Sequence, residues 1–403
     1  MRIGYHYHAT VVFDGNDVRY PAHYAMFVEE LARQAGTVVL LAPSGPGDGT
    51  ETHLLDPSLI EVVDLGPRSR NITMNLWPRR WIHGYDPAEL DLDALILRGP
   101  SPLLPALARR SRHLPVLILA VGDCRNWRPS RVNSAIKNTL IAAWARWYRR
   151  QQLRAAQDAH VAAISRSIVA GCGYPSTAVV FTSSISQADM DALAPHDTWE
   201  AARRRRARVR LLATGRLTEE KGLFELVEAV ALLVGRSYDV EARLVGESLG
   251  DPTSELVMTR AVELGIADRV AVPGYIEAGP QLLAEYAAAD IFVLPTHGEG
   301  AVNRSTKEAM ASGLPVVTTS IPAVTEFIEH RRHALLVPIH DPEAIARAVA
   351  ELIDDGELRS RLVDEARSWA SGLTNEKSVA QVLQQLTARR RRGSPPLRHG
   401  TEP

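Results

Sequence analysis

The sequence predicts an α/β protein of two lobes, each built on a parallel β-sheet. Short β-branched or aliphatic runs recur along the chain, amphipathic helical patterns separate them, and several runs lack the period-two alternation of a strand with one wet face. Runs without alternation suit strands buried on both faces, as in a parallel sheet covered by helices. Strand and helix signals in alternation are the signature of α/β architecture. The length of 403 residues fits two to three domains at roughly 150 residues each.

The elements follow in order. Arg2–Tyr7 reads as the first strand, and Thr37–Leu41, Ala94–Leu97, Val116–Val121 and His160–Ile164 complete the strand signals of the first half. In the second half they are Val209–Ala213, Val240–Val245, Arg269–Val272, Ile291–Leu294, Pro315–Thr318 and Ala334–Val337. Helical patterns lie between them, for example Phe224–Leu233 and Ala344–Ile353, and a pair at Glu343–Asp354 and Leu358–Ala370 closes the second half. The polar stretch Pro195–Arg210, with the run Arg203–Arg206, reads as a solvated linker. The expected lobes are therefore 1–195 and 205–375, followed by a terminal helix at 376–388. A tail at 389–403, with four consecutive arginines and three prolines, is expected to be disordered.

Composition narrows the function classes. Apolar residues make up 45% and charged residues 23%, with 46 cations against 47 acids and a formal charge of −1. No global positive field exists for nucleic acid. Two cysteines, Cys124 and Cys172, make no disulfide framework and favour a reducing compartment. No apolar run approaches the roughly 18 residues of a membrane span, and the start, with His6, His8 and Asp14, has no signal-peptide core. A soluble cytoplasmic protein is expected. Of the 46 cations 42 are arginine, so the four lysines, Lys137, Lys221, Lys307 and Lys377, stand out.

Two segments carry chemistry. In Leu211–Leu226, LLATGRLTEEKGLFEL, a buried strand ends at Thr214, Gly215 allows a tight turn, and Arg216 and Lys221 emerge beside the next helix, which Thr218 could cap. Unpaired amides at a helix start and two adjacent cations make a diphosphate cradle, the arginine gripping bidentately and the lysine acting as a mobile point charge. The ordinary alternative is a surface turn in which the cations pair with Glu219 and Glu220. In Asp290–Thr319, DIFVLPTHGEGAVNRSTKEAMASGLPVVTT, a strand ends at Leu294–Pro295. A loop then carries His297, Gly298, Glu299 and Gly300, and a small-residue helix holds Glu308. Two carboxylates in a strand-to-helix loop can accept sugar hydroxyls, but Ser305 to Glu308 also matches a capping box, with Glu308 merely bonding back to the Ser305 amide.

GRLTEEKG followed about 80 residues later by HGEG and KEAMASGLPVV resembles the retaining glycosyltransferases of family 4 (glycosyl transferases group 1), which have the GT-B fold. LVGES at Leu244–Ser248, RVAVPGYI at Arg269–Ile276 and LLAEYAAADIFVLPT at Leu282–Thr296 sit where that family places its intermediate blocks. The resemblance covers almost all of the second lobe. The first is similar only in layout and in HVAAISRSI at His160–Ile168. It implies two Rossmann-like lobes with parallel sheets facing a central cleft, the first on the acceptor side and the second binding a nucleotide sugar. It implies that Arg216 and Lys221 hold the donor diphosphate, Glu308 the ribose hydroxyls and Glu299 those of the donor sugar. Gly274, Tyr275 and Ile276 would meet the base, Gly300 and Ala301 the pyrophosphate or sugar, with Gly215 and Gly246 also at the donor. Transfer would need no metal or other cofactor, in keeping with a sequence that shows no convincing Asp-x-Asp or histidine cluster for one.

The chain departs from the family pattern in three places. Eight residues separate Glu299 from Glu308, where the family usually has seven. The first lobe has Asp14-Gly15-Asn16 in place of a Gly-Gly turn, and Val121-Gly122-Asp123 where a His-Asp pair often ends a strand. Asp123 and His8 are the acceptor-side candidates, against a strand-end cap and a turn residue. In Ser134–Asp158, Trp144, Trp147 and Tyr148 stand beside Arg146, Arg149 and Arg150. That helix could touch a membrane surface peripherally at the inner face or bury an aromatic stripe in the lobe. The expected activity is transfer of a sugar from a nucleoside-diphosphate donor to a glycan, lipid-linked or small-molecule acceptor with retention. A sugar-nucleotide epimerase or phosphorylase of the same architecture, or a non-catalytic nucleotide-sugar-binding partner, are the alternatives. No G-x-G-x-x-G follows the first strand, which argues against a dinucleotide dehydrogenase.

Overall fold

In a computed structural model of the chain the described residues are 1–47, 52–122, 135–175, 178–183, 185–192, 208–248 and 252–390. They form two compact units, one of Met1–Phe181 with the described part of Glu376–Pro403, the other Thr182–Asn375.

The first unit contains β1 (Ile3–His6), β2 (Val12–Asp14), β3 (Asp17–Tyr20), β4 (Val38–Ser44), β5 (His53–Leu54), β6 (Ile60–Pro67), β7 (Ala94–Gly99), β8 (Val116–Ala120), β9 (His160–Ala163) and β10 (Ala178–Val179). Seven make a parallel sheet in the order β10-β9-β8-β7-β1-β4-β6, and β2, β3 and β5 make a small antiparallel one. The missing alternation in β8 has a simple cause. Leu117 and Leu119 point into one apolar core and Val116, Ile118 and Ala120 into another across the sheet, so every residue needs an apolar side chain. Each leucine so enclosed contributes about 1.5–3 kcal/mol.

In the second unit β11 (Val209–Thr214), β12 (Val240–Val245), β13 (Val270–Gly274), β14 (Ile291–Leu294), β15 (Val316–Thr319) and β16 (Leu335–Val337) form a parallel sheet in the order β13-β12-β11-β14-β15-β16. Helices Leu223–Gly235, Pro342–Asp354 and Gly356–Ser371 bury Leu226, Val230, Ile345, Val349, Leu358 and Leu362 in its core. Local chemistry sets two of their starts: the Asp341 carboxylate accepts from the Ala344 amide (2.8 Å) ahead of Pro342, and Asp355 from the Leu358 amide (2.9 Å).

The units do not divide where the sequence was expected to break. Ile185 and Met190 already pack in the second core, Lys307 donates to the Thr182 carbonyl, and the Asn375 amide bonds the Ile185 carbonyl at 2.7 Å. The terminal helix, Asn375–Arg390, joins the first unit, where Val379, Val382 and Leu386 are buried and Ser378 donates to the Phe181 carbonyl. The hinge at 195–205 and the tail beyond 390 lie outside the described residues. Cys172 is disulfide-bonded, so the cysteine count does not carry the expectation of a reducing compartment. No described helix is long and apolar enough to cross a membrane.

Candidate functional site

The best-formed site lies along the carboxyl ends of three adjacent strands of the second sheet. β11 runs into Gly215, β12 into Gly246, and β13 ends at Gly274. The Gly215 amide bonds the Val245 carbonyl (3.0 Å) and the Gly246 amide the Gly274 carbonyl (2.9 Å). A slip in register between Arg243 and Val245 sets Gly274 opposite Val245. Gly246 has φ +149°, and a Cβ there would stand 1.8 Å from the Gly215 carbonyl oxygen. The sheet edge is thus bare backbone, open to a ligand's close approach. Tyr275 is exposed and Ile276 partly buried beside it.

Lys221 reaches this edge through a second close approach. After Arg216 the chain makes a short 3-10 turn, Glu219–Lys221, and the long helix starts only at Leu223, behind Gly222 at φ +71°. A Cβ on Gly222 would meet the Pro295 carbonyl oxygen at 2.1 Å. The Glu220 carbonyl accepts from the His297 amide (2.8 Å) and from Thr296 Oγ1 (3.1 Å). These bonds fasten the Lys221 turn to the loop that follows β14. Thr218 was the expected cap, yet its hydroxyl makes no capping bond and is buried without a partner. Nor do the cations pair with Glu219 and Glu220. Lys221, buried, forms an ion pair with Glu299 Oε1, and Arg216 is exposed with no side-chain partner among the described residues.

Glu299 therefore lies in the site despite the longer spacing to Glu308. The Asn303 amide, oriented by its hydrogen-bond network, donates to both Glu299 oxygens at 2.8 and 3.1 Å. Gly300 and Ala301 are half-buried in the same loop. Glu308 does not serve in a capping box. The helix Arg304–Ala311 has Asn303 at its N-cap, which puts Ser305 inside the first turn. The buried Glu308 carboxylate instead accepts from Tyr286 Oη (2.8 Å), which is 2.7 Å from Thr214 Oγ1, and lies 3.6 Å from Arg304 Nε. Burial, reinforced by the Glu308 charge, holds the Tyr286 phenol well above its usual range, so Tyr286 stays a donor. The carboxylate is thereby fixed at the edge of β11 and β14.

The sequence-read acceptor side is different. Asp123 lies outside the described residues. His8 is partly buried just past β1, its Nδ1 without a hydrogen-bond partner. Burial, then the charges of Arg68, His6 and Arg98, push it down to about 3. Arg98, at the end of β7, stands 4.9 Å above both the Tyr7 and the Tyr24 rings, touches Tyr5 Oη at 3.5 Å and leaves Nε buried and unbonded. No carboxylate pairs with it among the described residues. Cations, rings and a neutral imidazole in this arrangement can receive an anion. His6 is a core residue, bonded to the Leu41 carbonyl (2.8 Å) and Ser101 Oγ (2.7 Å). In the Ala135–Gln157 helix Tyr148 is buried and stacks on Trp144 at 5.2 Å, as a core stripe requires, while Ile136, Leu140 and Trp147 are exposed.

Sequence reasoning missed Arg98, which no motif marks, and passed over Tyr286 and Asn303 inside the segments Leu282–Thr296 and Asp290–Thr319 that it had singled out. It also saw no histidine cluster, yet folding gathers Glu225, His297 and His340.

Residues 208–355 match the family described as Glycosyl transferases group 1. Among curated proteins the chain is 32% identical over 178 residues to the lipopolysaccharide core biosynthesis glycosyltransferase LpsE of Rhizobium meliloti, covering 44% of this chain and 49% of that protein. It is 33% identical over 200 residues to D-inositol 3-phosphate glycosyltransferase of Thermobispora bispora, covering 47% and 46%. The chain thus matches about half the length of these relatives. Among solved structures, Anabaena Alr3699/HepE in complex with UDP superposes with a TM-score of 0.69 at 19% identity, over 96% of this chain and all of that one. WaaG, a glycosyltransferase involved in lipopolysaccharide biosynthesis, does so with 0.68 at 16% over 96% and 99%. At these identities the likeness shows the fold, which is GT-B.

Proposed function

We propose, from the match of residues 208–355 to the family described as Glycosyl transferases group 1 and from the GT-B fold, that the chain transfers a sugar from a nucleoside-diphosphate donor to an acceptor, with retention of configuration. The observation that carries this reading is the second-unit edge, where the bare backbone at Gly215, Gly246 and Gly274 stands with Arg216, Lys221, Glu299 and Glu308. A diphosphate fits there as the group that exposed Arg216 and the Lys221 ammonium would hold. The fixed Glu308 carboxylate suits ribose hydroxyls, and Tyr275 and Ile276 suit a base. Solved neighbours whose complexes contain UDP and UDP-glucose support that class of donor.

The chemistry asked of the protein is stabilisation of the departing diphosphate, and preorganised charge is commonly the largest catalytic contribution. Lys221 has three N–H donors, so it can keep Glu299 while meeting a phosphate oxygen. Held by Lys221 and Asn303, Glu299 would accept from the donor sugar's hydroxyls. No step in this reading uses a metal. In the first unit, Arg98, Arg68 and His8 favour an acceptor bearing an anionic group.

The test is a thermal-shift and calorimetric screen of UDP, GDP, ADP and dTDP against wild type and Lys221→Ala. A ligand bound to the native state raises its stability by mass action. One diphosphate should stabilise wild type, and the variant should lose that response. No binding at millimolar concentration rejects the donor site. Binding without transfer to any acceptor, or hydrolysis, favours a non-catalytic nucleotide-sugar partner.

A further inference from the structure

Three side chains from distant segments meet beside, but not within, the donor edge. Glu225 sits in the first turn of the Leu223–Gly235 helix, His297 in the loop after β14, and His340 in the turn between β16 and the Pro342–Asp354 helix, at φ +56°. Glu225 Oε1 is 3.0 Å from His297 Nε2 and 2.8 Å from His340 Nδ1, and the two imidazole centroids are 3.8 Å apart. One ligand atom from each lies within 4.8 Å of the others.

The hydrogen bonding of this group is incomplete. Glu225 Oε2 and His297 Nε2 are buried with no hydrogen-bond partner, since the approach of His297 to Glu225 lacks the alignment a hydrogen bond needs. Buried polar atoms in folded proteins nearly always have a partner, and two orphan atoms in one such cluster point to an ion or water bound there. Two imidazoles and a carboxylate choose between these. The set is the three-ligand donor type of zinc sites, with nitrogen and oxygen ligands at ~2.0–2.2 Å and a fourth position open to water. Ligands on a tetrahedral ion at that radius are ~3.3 Å apart, close to the separations already present. Rotations of exposed His340 would complete the geometry.

We propose that Glu225, His297 and His340 bind one divalent transition-metal ion of the zinc type. The ion would act as a clamp. It would join the start of the Leu223–Gly235 helix, the loop carrying Glu299 and the turn before Pro342, three segments of one unit. The proposal stands apart from the transfer reaction, since it rests on the ligands alone.

The test is calorimetric titration of the metal-stripped full chain with Zn2+, beside His340→Asn and His297→Gln. Asparagine tolerates the left-handed backbone at 340, and His340 is exposed, so that variant folds. Wild type should bind one Zn2+ with micromolar or tighter affinity and gain thermal stability from it. Both variants should lose at least tenfold in affinity and most of the thermal gain, while keeping the wild-type melting temperature without metal to within a few degrees. Two results overturn the proposal: no Zn2+ binding below millimolar concentration, or binding that both variants retain at wild-type affinity. In either case Glu225 is a hydrogen-bonding partner of His340 and a charged neighbour of His297, and nothing more.

Discussion

The two units place cations at the carboxyl ends of their parallel sheets in opposite ways. In the second unit, Lys221 pairs with Glu299 and Arg304 with Glu308, each within 4 Å of a carboxylate, while Arg216 stands exposed with no side-chain partner among the described residues. In the first, Arg98 rests on Tyr7 and Tyr24 and has no carboxylate partner among the described residues. An ion pair keeps a polar edge neutral until a ligand competes for one partner. A cation held by rings keeps its whole charge on offer. The difference teaches that the second edge holds charge in pairs that a ligand could exchange, whereas the first holds a cation that aromatic rings alone accompany.

The comparison can be broken or sharpened in four ways. The largest effect is expected from Gly246→Ala. Its Cβ must displace the Gly215 carbonyl at 1.8 Å and take a left-handed φ, which should cost about 2–4 kcal/mol in chemical denaturation and abolish the diphosphate response. A loss below ~1 kcal/mol would show that the strand edge yields easily.

Acid should next separate the units. Burial holds His6 down at about 4, whereas the unfolded imidazole titrates near ~6.5. As pH falls from 6.5 toward 4 the unfolded chain gains a proton that the folded chain refuses, so stability is lost on acidification. The expected loss from His6 is about 1.6 kcal/mol between pH 6.5 and 5. Urea melts at the two pH values read it, and an equal midpoint at both would show that His6 takes a proton while folded.

Lys221→Ala should cut turnover at least ~10-fold, about 1.4 kcal/mol of transition-state stabilisation, with near-native circular dichroism. Unchanged turnover would remove Lys221 from the cradle. Arg98→Met should change stability least, by within ~1 kcal/mol, because losing the ring contacts is offset by relief of desolvation. Its mark should be a raised acceptor KM at unchanged donor affinity. A stability loss of several kcal/mol would make Arg98 a structural cation and void the contrast between the units.

Much of the second unit was legible because its information is local. β11, β12, β14 and β15 coincide with apolar runs, and Asp341-Pro342 and Asp355 announce their helices by capping chemistry. Arg216, Lys221 and Glu308 stood out by motif and spacing. Local rules also misled. Ser305 to Glu308 has the letters of a capping box, but Asn303 starts the helix, and Thr218 has a capping residue's identity without its bond. In the first unit β6 escaped notice because Glu61 and Asp64 interrupt its apolar run, and β2, β3 and β5 are too short and polar to signal.

The sequence by itself determined the α/β class, most strands, and the residue types of the proposed diphosphate edge. Those properties depend on neighbours within about a dozen positions, through periodicity and capping. Tertiary structure alone decided that Lys221 meets Glu299, that Tyr286 fixes Glu308, that Arg98 lies on two tyrosines, that the terminal helix completes the first unit, and that Glu225, His297 and His340 converge. Each of these joins residues separated by 20 or more positions in the chain. Such meetings arise from which strands lie side by side and how closely two backbones approach, as at Gly222 and Pro295, where the absence of a single Cβ lets the Lys221 turn reach the loop that carries Glu299.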